Sequence, residues 1–192
     1  MTREEWLLKA MTELKPTFLE TGAEIPEKVR VTCGWPINGG RAKKRVTGEC
    51  WPAKKSKDGH FEIFIAPTLA DPIKVLGTLV HELVHAAVGL EAGHKAPFRH
   101  AATALGLEGK MTATTVGEEL HARLHTLAEK LGDYPHAEID PTQKKTQSTR
   151  MLKIECPNCG WMARTSKKWM ELGLPTCACG EQMINPDVPP DQ

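Results

Sequence analysis

Between Thr78 and His100 the chain reads TLVHELVHAAVGLEAGHKAPFRH, a stretch holding four of its eight histidines, with a glutamate directly after the first. His81 and His85 stand four residues apart. On a helix that spacing is one turn, so both imidazoles leave the same face and can share one ion. Glu82 sits about 100° further round such a helix, off the ion but within reach of a water beside it. Zinc lowers the pKa of a coordinated water to about 7, and a neighbouring carboxylate can accept its proton as a carbonyl is attacked. The chemistry expected is metal-assisted hydrolysis, with Glu82 as the general base.

A catalytic zinc site takes a third protein ligand and keeps one position open. His94 is the first choice, because it follows Gly93 and a chain that turns at the helix end can fold back to the ion. His100 is an alternative, as are Glu108, Glu118 and Glu119 for a glutamate-liganded site. Glu91 falls where the metzincin pattern has its third ligand, although the glycine of that pattern would stand at Val88. The HARLH segment gives His121 and His125 the same spacing without a glutamate, on a more polar stretch, and is expected to be a solvated helix face.

A second constellation lies late in the chain. Cys156-Pro-Asn-Cys159-Gly and Cys177-Ala-Cys179-Gly present two pairs of soft ligands, which suit a closed tetrahedral zinc site that folds its segment rather than catalyses. The second pair has one spacer residue instead of the usual two. Two zinc ions per chain are therefore expected, one catalytic and one structural. Cys33 and Cys50 are expected to be buried thiols. The N-terminal MTREEWLLKAMTELK mixes charges into its apolar residues, unlike a signal peptide, so the cysteines are read in a reducing, cytoplasmic setting.

Elements to hold these residues can be read from periodicity and punctuation. Asp71-Pro72 is a helix start, and Ile73, Leu76, Val80, Leu83, Val84 and Ala87 follow at helical steps to about Gly89. Trp6, Leu7, Met11, Leu14 and Phe18 predict an opening helix over 3–20, and two more helices are expected at about Pro97 to Leu105 and Glu118 to Leu131. KVRVTCGWP, RVTGECWP and HFEIFIAP, separated by turn signals, predict a small antiparallel sheet. Asp133 to Thr149 is polar, holds two prolines and reads as a linker. The expected organisation is an α+β core over 1–132, a linker over 133–149, a zinc ribbon over 150–184 and a flexible tail over 185–192. No run of about 18 apolar residues is present, so no membrane span is expected.

HFEIFIAPTLADPIKVLGTLVHELVHAAVG followed by AGHKAPFRHAA resembles the SprT-like family of zinc metalloproteases, which includes the Spartan proteases that degrade proteins crosslinked to DNA. The resemblance covers about residues 5 to 130, with a family-type zinc ribbon after it; Lys95 stands where many members have glycine. It implies a zincin-like fold, endopeptidase activity, and a third ligand in a Gly-His context, the place His94 occupies here. HFEIFIAP would then be the strand along whose edge an extended protein or peptide substrate pairs. Tyr134, Arg99 and His100 are candidates by residue type for stabilising the oxyanion.

The net charge of +1 conceals a local excess: Lys28 to Lys57 contains nine Lys/Arg against Glu49 alone. Arg41, Lys43, Lys44, Arg45, Lys54 and Lys55 in this block, with Lys167 and Lys168 beside Trp169 in the ribbon, are candidates for contacting a DNA backbone. At least one of Trp161 and Trp169 is expected in the ribbon core. The competing function is a catalytically inactive, nucleic-acid-binding adaptor, which accounts for the basic residues but gives Glu82 no reason to stand beside the histidines.

Overall fold

The computed structural model describes residues 1–37, 46–140 and 151–187, and the chain divides into two compact units, Met1–Pro141 and Thr142–Gln192. Both units combine helices with small sheets, making the protein α+β. Among the described residues no helix is long and apolar enough to cross a membrane.

Helix α1, Arg3–Glu20, opens on a capping box: Thr2 Oγ1 accepts from the Glu5 N–H at 3.2 Å and the Glu5 carboxylate accepts from the Thr2 N–H at 2.7 Å. Its buried stripe is Trp6, Leu7, Ala10, Met11, Leu14 and Phe18. Strands β1 (Val29–Cys33), β2 (Gly48–Trp51) and β3 (Phe61–Ile65) form one sheet in the order β1-β3-β2. The sheet is mixed, not antiparallel as the turn signals imply. β2 and β3 do form an antiparallel pair, Gly48 opposite Ile65, but β1 runs parallel to β3, Val29 opposite Phe61. Local punctuation between β1 and β2 reads as a hairpin, whereas the chain carries β2 past its neighbour to the far edge. HFEIFIAP is consequently the central strand, paired on both sides, and has no edge to offer a substrate.

Helix α2, Pro72–Val88, starts where Asp71 Oδ1 accepts from the Lys74 N–H at 2.8 Å, with Pro72 in the first turn. It lies against β2 and β3 on one side and α3 and α4 on the other. Val75, Leu76, Leu79, Val80, Leu83 and Val84 are fully buried. At roughly 1.5–3 kcal/mol each, their burial far outweighs the cost of seating two half-buried imidazoles on the same helix. Gly89, with φ at 84°, ends the helix and sends the chain back.

Helix α3 (Ala96–Ala104) leads into a hairpin the periodicity does not reveal, β4 (Leu107–Lys110) and β5 (Ala113–Val116), followed by helix α4 (Glu118–Leu131). His121 and His125 on α4 are exposed, as their polar context predicts. The described part of the expected linker, 133–140, instead packs on the first unit. Tyr134 is buried with its ring centroid 5.0 Å from that of Trp6, and His136 bonds the Pro67 carbonyl at 2.9 Å and Arg3 at 3.1 Å. Tyr134, His136 and the Ile139 N–H, which donates to the Pro67 carbonyl at 2.8 Å, together tie this polar, proline-bearing stretch to the first unit.

The second unit holds an antiparallel hairpin, β6 (Leu152–Glu155) with β7 (Met162–Thr165), and a short helix α5 (Lys167–Leu172). Its core is Ile154, Cys156, Cys177 and Met183. Trp161 and Trp169 are 56% and 58% exposed, so neither tryptophan is core. Asn185 is still buried, which carries the packed chain one residue past 184; of the expected tail, 188–192 lie outside the described residues.

Candidate metal centres

α2 presents His81 and His85 on one face, and the turn through Gly89 and Gly93, both with positive φ, returns His94 to them. The three imidazoles offer one nitrogen each within 4.8 Å of the others, and His85 Nε2 stands 3.2 Å from His94 Nε2. Phe98, fully buried on α3, backs all three, its ring centroid 4.9, 4.4 and 4.9 Å from those of His81, His85 and His94. Burial holds His81 down at about 4 and His85 at about 3, each helped by neighbouring histidine, and lowers His94 in the same way. All three are therefore neutral near pH 7, the form with a free nitrogen lone pair. The group could hold a metal ion.

Glu82 lies off this cluster, buried between α2 and the outer edge of β2. The Ala66 N–H donates to the Thr47 carbonyl at 2.8 Å, so the alternation along β2 turns the backbone of Gly48 and Cys50 away from β3 and toward α2. The Cys50 N–H donates to the Glu82 carboxylate, and a Cβ on Gly48 would stand 2.7 Å from Glu82 Oε1. Only glycine allows that approach. Desolvation, with Glu49 nearby adding repulsion, pushes the Glu82 carboxyl up to about 8.

The other sequence candidates are placed elsewhere. His100 and Glu91 are exposed, and Glu119 pairs with Arg123 at 2.8 Å on α4. Glu108 turns toward Gly117, and Glu118 is exposed at the start of α4. Tyr134 has Cys33 and Arg3 as its electrostatic neighbours and makes no ring contact with the triad. Arg99 does approach the cluster: with His94, Thr103 and Lys110 it lines a cleft of about 550 Å³ between α3 and the β4–β5 hairpin. Phe98 and Gly48 escaped the sequence reading. A glycine inside TGECW, a strand pattern, was the available sign for the second.

In the second unit the Sγ atoms of Cys156, Cys159, Cys177 and Cys179 all lie within 4.8 Å of one another, and the four thiols are unpaired. Cys156 faces Cys179 at 3.4 Å and Cys159 faces Cys177 at 3.5 Å. The Cys159 N–H points back at Cys156 Sγ over 3.5 Å, and the Glu181 N–H does most to hold Cys179 down at about 6. This group too could hold a metal ion.

Of the expected DNA contacts, Lys54 and Lys55 are exposed on a short 3-10 turn, Ala53–Lys55, and Lys167 and Lys168 are exposed on α5. The Lys168 ammonium lies 5.2 Å from the Trp169 ring centroid. Arg41, Lys43, Lys44 and Arg45 lie outside the described residues. Arg30, another member of the block, is neutralised by Asp58 at 2.7 Å and Glu62 at 2.8 Å. Compared with protein-family models, curated proteins and solved structures, the chain finds no match.

Proposed function

We propose that the protein is a zinc endopeptidase with a zincin-like core and a structural zinc ribbon, acting on protein substrates at or near DNA. The observation that carries the reading is the pairing of a neutral three-histidine cluster with a buried carboxylate one helical position from the first ligand. Three imidazoles and no thiolate are a donor set for a catalytic zinc with an open position. Nitrogens bound to zinc at about 2.0–2.1 Å stand about 3.3–3.4 Å apart in a tetrahedron, close to the 3.2 Å between His85 and His94. Sulfurs bound at about 2.3 Å would stand about 3.8 Å apart and a disulfide only about 2.05 Å; the 3.4 and 3.5 Å pairs fall near the first value.

His81, His85 and His94 would hold the catalytic ion and the four cysteines the structural one. When bound, the catalytic zinc supplies Lewis acidity toward a water and a peptide carbonyl. Glu82 then has the proton-handling role. A cation held by the neighbouring histidines would favour its ionised form against the desolvation that raises it, and as a carboxylate it can take a proton from the attacking water and pass it to the leaving amine. The cleft at His94 and Arg99 would receive substrate residues next to the bond being cut.

Loaded with zinc, the full chain should hold two ions and cleave an unfolded protein, and cleavage should stop on chelation and return with zinc. A chain that holds both ions yet cleaves nothing, itself included, with or without DNA, is an adaptor instead.

The exposed Trp161 and Trp169, the second on the same short helix as Lys167 and with the Lys168 ammonium 5.2 Å from its ring centroid, support a DNA-binding role for the ribbon. Single-stranded DNA affinity should fall steeply with salt. Trp169→Ala should cost about 1–3 kcal/mol of binding, and Lys167→Ala with Lys168→Ala should flatten the log–log salt slope by roughly 0.7 for each phosphate no longer neutralised. Absence of salt-dependent binding at low ionic strength would remove DNA from the proposal.

A further inference from the structure

The three histidines are not held alike. His81 Nδ1 lies 2.8 Å from the hydroxyl of Thr114 on β5, whereas among the described residues neither His85 nor His94 has a hydrogen bond at Nδ1. A neutral imidazole carries its proton on one nitrogen and its lone pair on the other. A hydroxyl can serve either form, and with Nε2 given to an ion the proton is on Nδ1, where the Thr114 oxygen accepts it. The same bond sets the angle of the ring about its χ torsions.

Thr114 is brought there by the hairpin, not by its own loop. In the β4–β5 pair Thr114 lies opposite Gly109 and Val116 opposite Leu107, and the alternation of β5 turns Thr114 and Val116 inward while Ala113 and Thr115 are exposed. Val116 Cγ2 would be 2.6 Å from a Cβ on Gly77. That glycine is one helical turn before His81, so the hairpin rests on the helix backbone directly below the first ligand. The base of the hairpin is closed by Gly117 N–H donating to the Gly106 carbonyl at 2.9 Å. Val116 supplies the packing on this face. The Thr114 hydroxyl has His81 as its hydrogen-bond partner among the described residues.

We infer that Thr114 is a positioning residue for the catalytic metal centre: its hydroxyl bonds His81 Nδ1 and holds the ring in the orientation in which Nε2 meets the ion, with the Gly77–Val116 contact setting the hairpin at the right height. The inference rests on the reading of His81, His85 and His94 as metal ligands, but not on proteolysis. Outer partners of this kind change metal affinity by about 10–100-fold.

The test is chelator competition on the full-length chain, for zinc and for cobalt, whose d–d bands at a nitrogen site separate from the thiolate charge-transfer bands of the cysteine cluster. Thr114→Val should weaken the histidine site by about 10–100-fold and shift its cobalt spectrum, with the cysteine site unchanged as an internal reference. Thr114→Ser, which keeps the oxygen, should stay within about threefold of wild type, a smaller change than loss of the partner. Gly77→Ala should weaken the same site without touching a ligand, and adding Val116→Ala should restore it. The assignment is overturned if Val binds as tightly as wild type, or if Ser loses as much as Val, since the hydroxyl would then be packing only. A wild type with no ion at the histidines overturns it together with the metal centre. A wild type that binds normally but cleaves nothing sinks the protease reading alone.

Discussion

Glu82→Gln is expected to leave both zinc ions bound and to lower the rate of peptide hydrolysis by at least about 10²–10⁴-fold, the range usual for a general base. Glutamine keeps the shape of the side chain and can still accept the Cys50 N–H, so the contact with β2 survives. What it cannot do is take a proton. The same substitution has an opposite effect on the metal-free fold. Burial raises the carboxyl from 4.5 to about 8, so the folded chain holds its proton more tightly than the unfolded one. That contribution to stability is complete below pH 4.5 and is lost as pH rises through 8. Chelator-treated Glu82→Gln should therefore melt above chelator-treated wild type at pH 8, with the gap closing toward pH 4.5. Cleavage at the wild-type rate would remove Glu82 from the chemistry, and loss of the ion from the histidine site would make it a ligand.

The second large effect separates His94 from His100. His94→Ala removes one of three nitrogens and should weaken zinc at the histidine site by more than the roughly 10–100-fold typical of losing an outer partner, abolishing cleavage with it. His100→Ala should leave the ion in place, because that ring is exposed on α3 and has no contact with His81 or His85. Metal analysis of the dialysed full-length variants, with the cysteine site as reference, reads both outcomes. The reverse pattern would move the site one helix onward and undo the Gly-His reading.

Those residues were legible because their information is local. Asp71-Pro72 announces where α2 begins, the four-residue step puts His81 and His85 on one face, and Gly89 and Gly93 mark where the chain can return. What stayed hidden depends on pairing between distant segments. Nothing near Val29 states that β1 will lie parallel to β3, and nothing near Gly48 or Thr114 states that one will meet Glu82 and the other His81. Phe98 is a fully buried core residue that no motif marks; its role comes from having three imidazoles for neighbours. In the ribbon, Ile154 and Met183 fill the small space beside Cys156 and Cys177, which left both tryptophans outside.

The seam where α1 meets the end of the first unit has a consequence during synthesis. Trp6 donates its indole N–H to the Gly132 carbonyl at 2.9 Å, across 126 residues, and stacks edge-on against Tyr134. At about 5–20 residues per second, roughly 6–25 s separate the appearance of the tryptophan from that of its partner on a ribosome. Through that interval the apolar face of α1 has no complete place to pack, although its capping box lets the helix itself form early. Through that interval the nascent chain carries α1 with its apolar face uncovered, a target suited to a chaperone that binds apolar helices and the point at which premature release would be most prone to aggregate.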